Sequence, residues 1–183
     1  MSVSPDLDAR FRAAAIREGL VDVRFDIVAS PVGELLVAST DRGLCRISYT
    51  IEGQDESLAR SFGVRVLRTP LDEVRRELDE YFDGRRREFD LALDLRVAPF
   101  HEAVLHELAR VPYGQVDTYG HLAARVGRPK AARAVGTVMN RNPLPIVLPC
   151  HRIVGANGSL TGYAGGLHVK RALLELEGAT LPL

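Results

Sequence analysis

The chain has 183 residues, with 24 basic against 24 acidic, two cysteines, no tryptophan and 46% hydrophobic residues. At this length roughly 70% of the unfolded surface can be buried, so one core or two small ones can form without disulfides or a structural metal; the composition excludes a disordered or collagen-like polymer, and no apolar run approaches the roughly 18 residues of a membrane helix. The zero net charge is unevenly placed, because residues 1–99 hold 15 arginines against 19 carboxylates while residues 100–183 hold nine basic and five acidic residues and all five histidines, so a polyanion is expected to meet the second half.

Charges scattered through residues 1–20, with no continuous apolar core, argue against a secretory signal, and a cytoplasmic location is expected. This stretch reads as a short charged helix. Segments 23–30, 34–40 and 44–50 read as strands, punctuated by Pro31-Val32-Gly33 and Asp41-Arg42-Gly43. Thr69 and Pro70 carry a helix start signal, Thr69 as N-cap and Pro70 in first position, ahead of an apolar side made by Leu71, Val74, Leu78 and Phe82. The alternation of FDLALDL, residues 89–95, predicts a half-buried strand.

The texture changes near residue 97. Phe100, Ala103, Val104, Leu108 and Val111 form a helical stripe, stopped by Pro112-Tyr113-Gly114. Thr118 then caps TYGHLAARVG, Gly127 ends it, and KAARAVGTVMN follows after Arg128-Pro129, a helix-turn-helix pattern. The expected organisation is an N-terminal α/β domain with a small antiparallel sheet over 1–97 and a mostly helical C-terminal domain over 98–183.

The chemistry concentrates in NPLPIVLPCHRIVGANGSLTGYAGG, residues 142–166. Ile146-Val147-Leu148 reads as a buried strand delivering Cys150, and a cysteine beside His151 is how a thiol becomes a nucleophile at neutral pH. Strand neighbours point to opposite faces, so contact between the two requires a bend or a bridging water. Asn157-Gly158 between HRIV and SLTGY predicts a hairpin. Cys45, inside an apolar alternation, reads as a core residue. His101 and His106 are five apart and share no helix face, and no zinc spacing involves the cysteines, so no metal is expected. Glu177 ends the helical VKRALLELEGA and reads as a surface charge unless the fold brings it to His151.

Together VPYGQVDTYGHLAARVGRPKAARAVG, NPLPIVLPCHRIVGANGSLTGYAGG and KRALLELEG closely resemble the methylated-DNA–protein-cysteine methyltransferases, the O6-alkylguanine-DNA alkyltransferases, and SPVGELLVAS resembles the start of their less constrained domain. The resemblance implies stoichiometric transfer of the alkyl group from a flipped O6-alkylguanine in DNA to Cys150, with O4-alkylthymine left open as a second substrate. It further implies that His151 acts through a water as base, that Glu177 orients and charges the imidazole, and that Asn142 fixes the turn before the active-site strand. Tyr119 matches the tyrosine that donates to the base and rotates its phosphate; Arg133 matches the arginine that fills the gap in the duplex. Ala132, Ala134 and Gly136 have little bulk, suiting a helix pressed into the minor groove. Backbone groups at Cys150, Ile153 and Ala164 are implied to read the guanine edge, with Tyr163 in the pocket wall.

The implied partner is double-stranded DNA carrying alkylated bases; no cofactor is expected, since the damaged base supplies the alkyl group, and a monomer with no membrane association is expected. Two helix positions depart from the family pattern, His101 at the usual glutamine and Leu105 at a frequent aromatic, and repacking without loss of activity is expected there. Pro145 and Gly165 suggest an unobstructed pocket. Rival readings are a lesion-binding relative without transfer, which retention of Cys150, His151 and Glu177 opposes; a helix-turn-helix regulator, which leaves the Cys-His pair unexplained; and a cysteine hydrolase, which would turn over repeatedly.

Overall fold

A computed structural model describes residues 4–180. The first helix, α1 (Pro5–Arg17), leads into β1 (Val23–Val28), β2 (Leu35–Thr40) and β3 (Gly43–Ser48), then α2 (Gln54–Phe62), β4 (Val66–Arg68) and α3 (Asp72–Phe82). The four strands form one sheet in the order β3-β2-β1-β4. β1 pairs antiparallel with β2, from Arg24 opposite Ser39 to Val28 opposite Leu35, and β2 pairs antiparallel with β3. β4 returns through α2 and lies parallel to β1.

β2 is buried along its whole length, which explains why LLVAST shows no polar alternation. Leu36 and Ala38 point to one side with Val23, Cys45 and Leu58 of α2, while Leu35 and Val37 point to the other with Val28, Leu44 and Ile47. Cys45 is therefore a core thiol, its Sγ 3.3 Å from the Ala38 carbonyl, and burial pushes its pKa up to about 12.

Three N-terminal expectations need correction. α3 begins at Asp72 with Leu71 as its N-cap, later than the Thr69-Pro70 signal, because Thr69 N–H still donates to Phe25 O at 2.9 Å and extends the sheet. The sheet is mixed, with β4 adding a parallel edge. Residues 89–95 are extended but meet the sheet only at a bridge between Leu93 and Leu44. Side chains hold that segment: buried Glu77 accepts from Asp90 N–H at 2.9 Å, and buried Asp94 accepts from Thr40 Oγ1 at 2.8 Å and Arg96 Nη2 at 2.9 Å.

The second half contains α4 (Pro99–Ala109), β5 (Asp117–Thr118), α5 (Tyr119–Arg125), α6 (Ala132–Asn140), a single 3-10 turn (Cys150–Arg152), β6 (Ile153–Val154) and α7 (Leu167–Leu176). Pro99 opens α4, where its missing N–H costs nothing. Thr118 caps α5 through its Oγ1, which accepts from His121 N–H at 3.2 Å. α6 buries Val135, Val138 and Met139, an i, i+3, i+4 face, and turns its other side outward. Leu105 is fully buried. One apolar cluster runs from Val28, Leu35 and Ile47 through Leu78 and Tyr81 to Leu105, Val135, Cys150 and Leu173, so the sheet and the helices share a core.

Candidate active site

The loop before Cys150 is not the expected strand. Pro143, Pro145 and Pro149 cannot donate to a ladder, and buried Ile146 takes a left-handed φ of 77°, an outlier for a β-branched residue. The loop instead closes on itself: Leu148 N–H donates to Leu144 O at 2.8 Å, and Cys150 N–H reaches Leu148 O at 2.8 Å. Pro149, at φ −80° and ψ 61°, forms the tight three-residue turn between them. Asn142 braces the loop from within, its Nδ2 donating to Leu148 O at 2.8 Å and its Oδ1 accepting from Leu144 N–H at 3.0 Å. Ile47 N–H donates to Pro143 O at 2.8 Å, so β3 anchors the loop from outside.

Cys150 and His151 therefore lie on a tight turn, and both are buried. Burial pushes the Cys150 thiol up to about 11, against the pull of the Asn142 amide, the Lys170 ammonium and the N–H groups of Cys150 and His151. The resting thiol is thus protonated. His151 is fully buried, and burial lowers its pKa despite Glu177.

The fold brings Glu177, 26 residues along the chain, to His151: Nε2 lies 2.8 Å from Oε1. Burial pushes the Glu177 carboxyl up, but hydrogen bonds from His151 and Arg152 outweigh it and hold the group at about 2. An ionised carboxylate only accepts, so His151 presents Nε2–H to it and keeps a lone pair on Nδ1. That Nδ1 is buried and has no hydrogen-bond partner.

Three groups bonded to this pair, and a fourth that holds the chain after it, escaped the sequence reading. Arg152 donates to both Glu177 oxygens, from Nε at 2.8 Å and Nη2 at 2.9 Å, and to Val111 O from Nη1 at 2.6 Å. Tyr81 of α3 donates its hydroxyl to Glu177 Oε1 at 2.7 Å. Gly114 N–H reaches Glu177 Oε2 at 3.3 Å; its φ of 75° and the 2.9 Å from an ideal Cβ to Glu177 O leave room only for glycine. Lys170 is fully buried and donates to Ile153 O at 2.5 Å and Thr161 O at 2.9 Å, closing the loop between them; burial lowers it to about 8. The PCHR run could have flagged Arg152, but the other partners come from distant elements.

The remaining candidate residues lie on α5, on α6 and in the chain after β6. β5 and β6 pair in parallel, Asp117 with Ile153 and Thr118 with Val154, which ties the start of α5 to the chain leaving Cys150–Arg152. Tyr119 follows at once, and its hydroxyl accepts from Thr161 Oγ1 at 3.0 Å. Gly136 faces the Tyr119 ring, which would lie 3.9 Å from an added Cβ. Arg133 and Ala134 are exposed on the outer side of α6, and Ala132 is half-buried. The first turn of α6 has no acidic residue and no side-chain cap. Tyr163 stands edge-on to His151 with ring centroids 6.5 Å apart, and Ala164 beyond it is exposed.

Two expectations change here. Asn157-Gly158 does make a turn, with Gly158 N–H donating to Gly155 O and Gly155 N–H to Ser159 O, each at 2.9 Å, but residues 159–163 form no return strand, and Ile153 and Val154 pair with β5. The space left by Gly165 is not open, since the Tyr49 ring lies 3.0 Å from where its Cβ would be.

Residues 23–95 match the family described as 6-O-methylguanine DNA methyltransferase, ribonuclease-like domain, and residues 99–179 match its DNA binding domain. A Methanosarcina acetivorans methylated-DNA–protein-cysteine methyltransferase is 41% identical over 85% of this chain and 98% of its own length. The constitutive enzyme of that name from Bacillus subtilis is 41% identical over 81% of this chain and 91% of its own. Among solved structures, Mycobacterium tuberculosis O6-methylguanine methyltransferase superposes with a TM-score of 0.76 at 38% identity, covering 85% of this chain and 93% of that one. The same bacterium's OGT in complex with DNA gives 0.75 at 38% identity, covering 87% and 95%. Matched in both halves and over nearly the full length of such relatives, the chain belongs to the methylated-DNA–protein-cysteine methyltransferases.

Proposed function

We propose that the protein repairs alkylated double-stranded DNA by moving the alkyl group of an extruded O6-alkylguanine onto Cys150, once per molecule. Its family makes it a DNA-repair methyltransferase; the finer assignments rest on the side chains. The observation that carries them is the buried His151–Glu177 pair, whose one unpartnered atom, Nδ1, is a lone pair next along the chain from a protonated thiol.

In this reading Nδ1 takes the Cys150 proton through a water, and the imidazolium so formed is stabilised by Glu177. The sulfur attacks the alkyl carbon in line; an S–C bond forms, the C–O6 bond breaks, and its electron pair stays with the guanine. Tyr119 is free to donate a hydrogen bond to the leaving base because its hydroxyl accepts from Thr161, and the proton that the base acquires from water is balanced by the one His151 has taken from Cys150. The product thioether has no route back to a thiol, so one molecule reacts once. Arg152 keeps Glu177 ionised, and Asn142 and the N–H groups at the turn receive the thiolate. Backbone groups at Cys150, Ile153 and Ala164 line the guanine edge, with Tyr163 as a wall.

For DNA, the helix-turn-helix is α5 and α6, with α6 in the minor groove. Its first turn carries Arg133 at the positive end of the helix dipole with no acid to compensate, an arrangement that favours an anionic partner. Arg128, Lys130, Arg133 and Arg141, all exposed, lie on α6 or within a few residues of its ends, while Ala132, Ala134 and Gly136 allow close approach. Arg133 takes the place of the extruded base. We assign residues 98–183 to this DNA-binding and alkyl-accepting role, residues 1–97 to its support, and the active species to a cytoplasmic monomer. Loss of O6-methylguanine from a duplex, followed against protein concentration, tests the reading: an end point of one lesion per protein supports it, and continued turnover contradicts it.

A further inference from the structure

The N-terminal half reaches the pocket wall through a residue with no role so far. Tyr49, just past β3, places its hydroxyl 2.7 Å from that of Tyr163, with ring centroids 5.7 Å apart. The same ring fills the space beside Gly165, where an ideal Cβ would lie 3.0 Å from Cδ2 and Cε2. Tyr49 is itself firmly held. Ile47, two residues earlier, is bonded to Pro143, and Ser48 Oγ donates to Thr50 O at 2.8 Å, fixing the bend that carries Tyr49. Burial raises both phenols, so the hydroxyl pair stays protonated throughout the neutral range.

Tyr49 also lines a cavity of about 240 Å³, bordered by Asn142, Pro145 and Ala164 from the second half and by Arg46 and Thr50 from the first. Both the Tyr49 ring and the strap 163–165 that walls the pocket, through Ala164, therefore border existing free volume.

We propose that Tyr49 is a positioning residue that sets the size of alkyl group the pocket accepts, by pinning Tyr163 through its hydroxyl and filling the room beside Gly165. The inference rests on Cys150 being the alkyl acceptor. A methyl group needs little of this room, whereas a benzyl group needs the wall to give. With the ring absent, the wall can move toward the adjoining cavity, and bulky groups gain more than methyl does. Unlike general loosening of the protein, which slows both reactions together, this effect appears in their ratio.

The test is single-turnover transfer from duplexes carrying O6-methylguanine or O6-benzylguanine by the wild type, Tyr49→Leu and Tyr49→Phe. Tyr49→Leu is expected to raise the benzyl-to-methyl rate ratio about tenfold, the scale on which pocket size discriminates. Tyr49→Phe keeps the ring but frees Tyr163, and is expected to raise the ratio about threefold, the worth of a modest hydrogen bond. Unchanged ratios in variants that still transfer methyl overturn the role of Tyr49. If Tyr49→Leu does not fold, Tyr49→Phe alone decides: an unchanged ratio refutes the pinning. A wild type that transfers neither group overturns the functional reading beneath it instead.

Discussion

Replacing Glu177 with glutamine probes the relay at the point where most of its bonds converge. The carboxylate accepts five hydrogen bonds, from Tyr81, His151, Gly114 and twice from Arg152. A glutamine can keep its oxygen toward Tyr81 and His151, but its NH2 then meets Arg152 Nε and Gly114 N–H, two donors with nothing to accept them. The charge that would steady an imidazolium is gone. A charge-assisted hydrogen bond is worth about 1.5–3 kcal/mol, which at about 1.4 kcal/mol per tenfold slows alkyl transfer about 10- to 150-fold at neutral pH. The deficit should narrow as pH rises toward 11, where Cys150 ionises without help.

Stability gives an independent readout of the same substitution. The Glu177 carboxyl titrates at about 2 in the fold against 4.5 ordinarily, a difference of about 3 kcal/mol. This contribution is fully present above pH 4.5 and is lost as pH falls toward 2, so the wild type should melt above Glu177→Gln at pH 6 and the gap should close in acid. His151, held neutral, removes stability from both proteins as pH falls below 6.5. Single-turnover rates with a methylated duplex from pH 6 to 10 measure the first effect, and thermal melts followed by circular dichroism from pH 6 down to 2 measure the second and control for folding. A folded Glu177→Gln protein that reacts as fast as the wild type at pH 7 would refute the relay.

Other substitutions separate binding from chemistry. Cys150→Ser should abolish transfer while methylated DNA still binds in a gel-shift assay; residual transfer would remove Cys150 as nucleophile. Arg133→Ala should weaken binding across sequences, because the gap left by the extruded base is no longer filled, leaving transfer at saturating DNA the less affected quantity; an unchanged affinity would take Arg133 out of the interface. Tyr81→Phe should destabilise the protein by about 1 kcal/mol in urea unfolding and slow transfer several-fold, and a neutral result in both would show that α3 does not support Glu177.

Local signals carried much of the fold. Thr118 and Gly127 bracket α5, and the turns at 31–33 and 41–43 separate three strands where the sequence places them. Failures came where long-range contact decides. α2 buries only Leu58, so its stripe is too thin to read, and β4 is three residues whose existence depends on pairing with β1. The apolar run 146–148 reads as a strand because burial alone does not distinguish a strand from a buried loop; Pro149 signals the bend at Cys150, and Pro143 and Pro145 carry the same signal through the loop before it.

The site divides in the same way. Cys150 and His151 are adjacent in sequence, and PCHR marks them as chemistry. Glu177 was legible only through family likeness, since nothing in LELEG says which acid turns inward. Tyr81 and Tyr49 lie 96 and 114 residues from their partners, on elements whose own periodicity marks them only as apolar. Lys170 reads as a surface lysine on α7, yet its ammonium is buried against two carbonyls that only the folded loop supplies.

Intact-protein mass spectrometry after incubation with a duplex containing O6-methylguanine tests the central claim most directly, with peptide mapping of the adduct. The account predicts a gain of about 14 Da, one methyl replacing a thiol hydrogen, that saturates at one per chain and maps to Cys150. Binding with no change in mass, or a methyl group on any other residue, would contradict it.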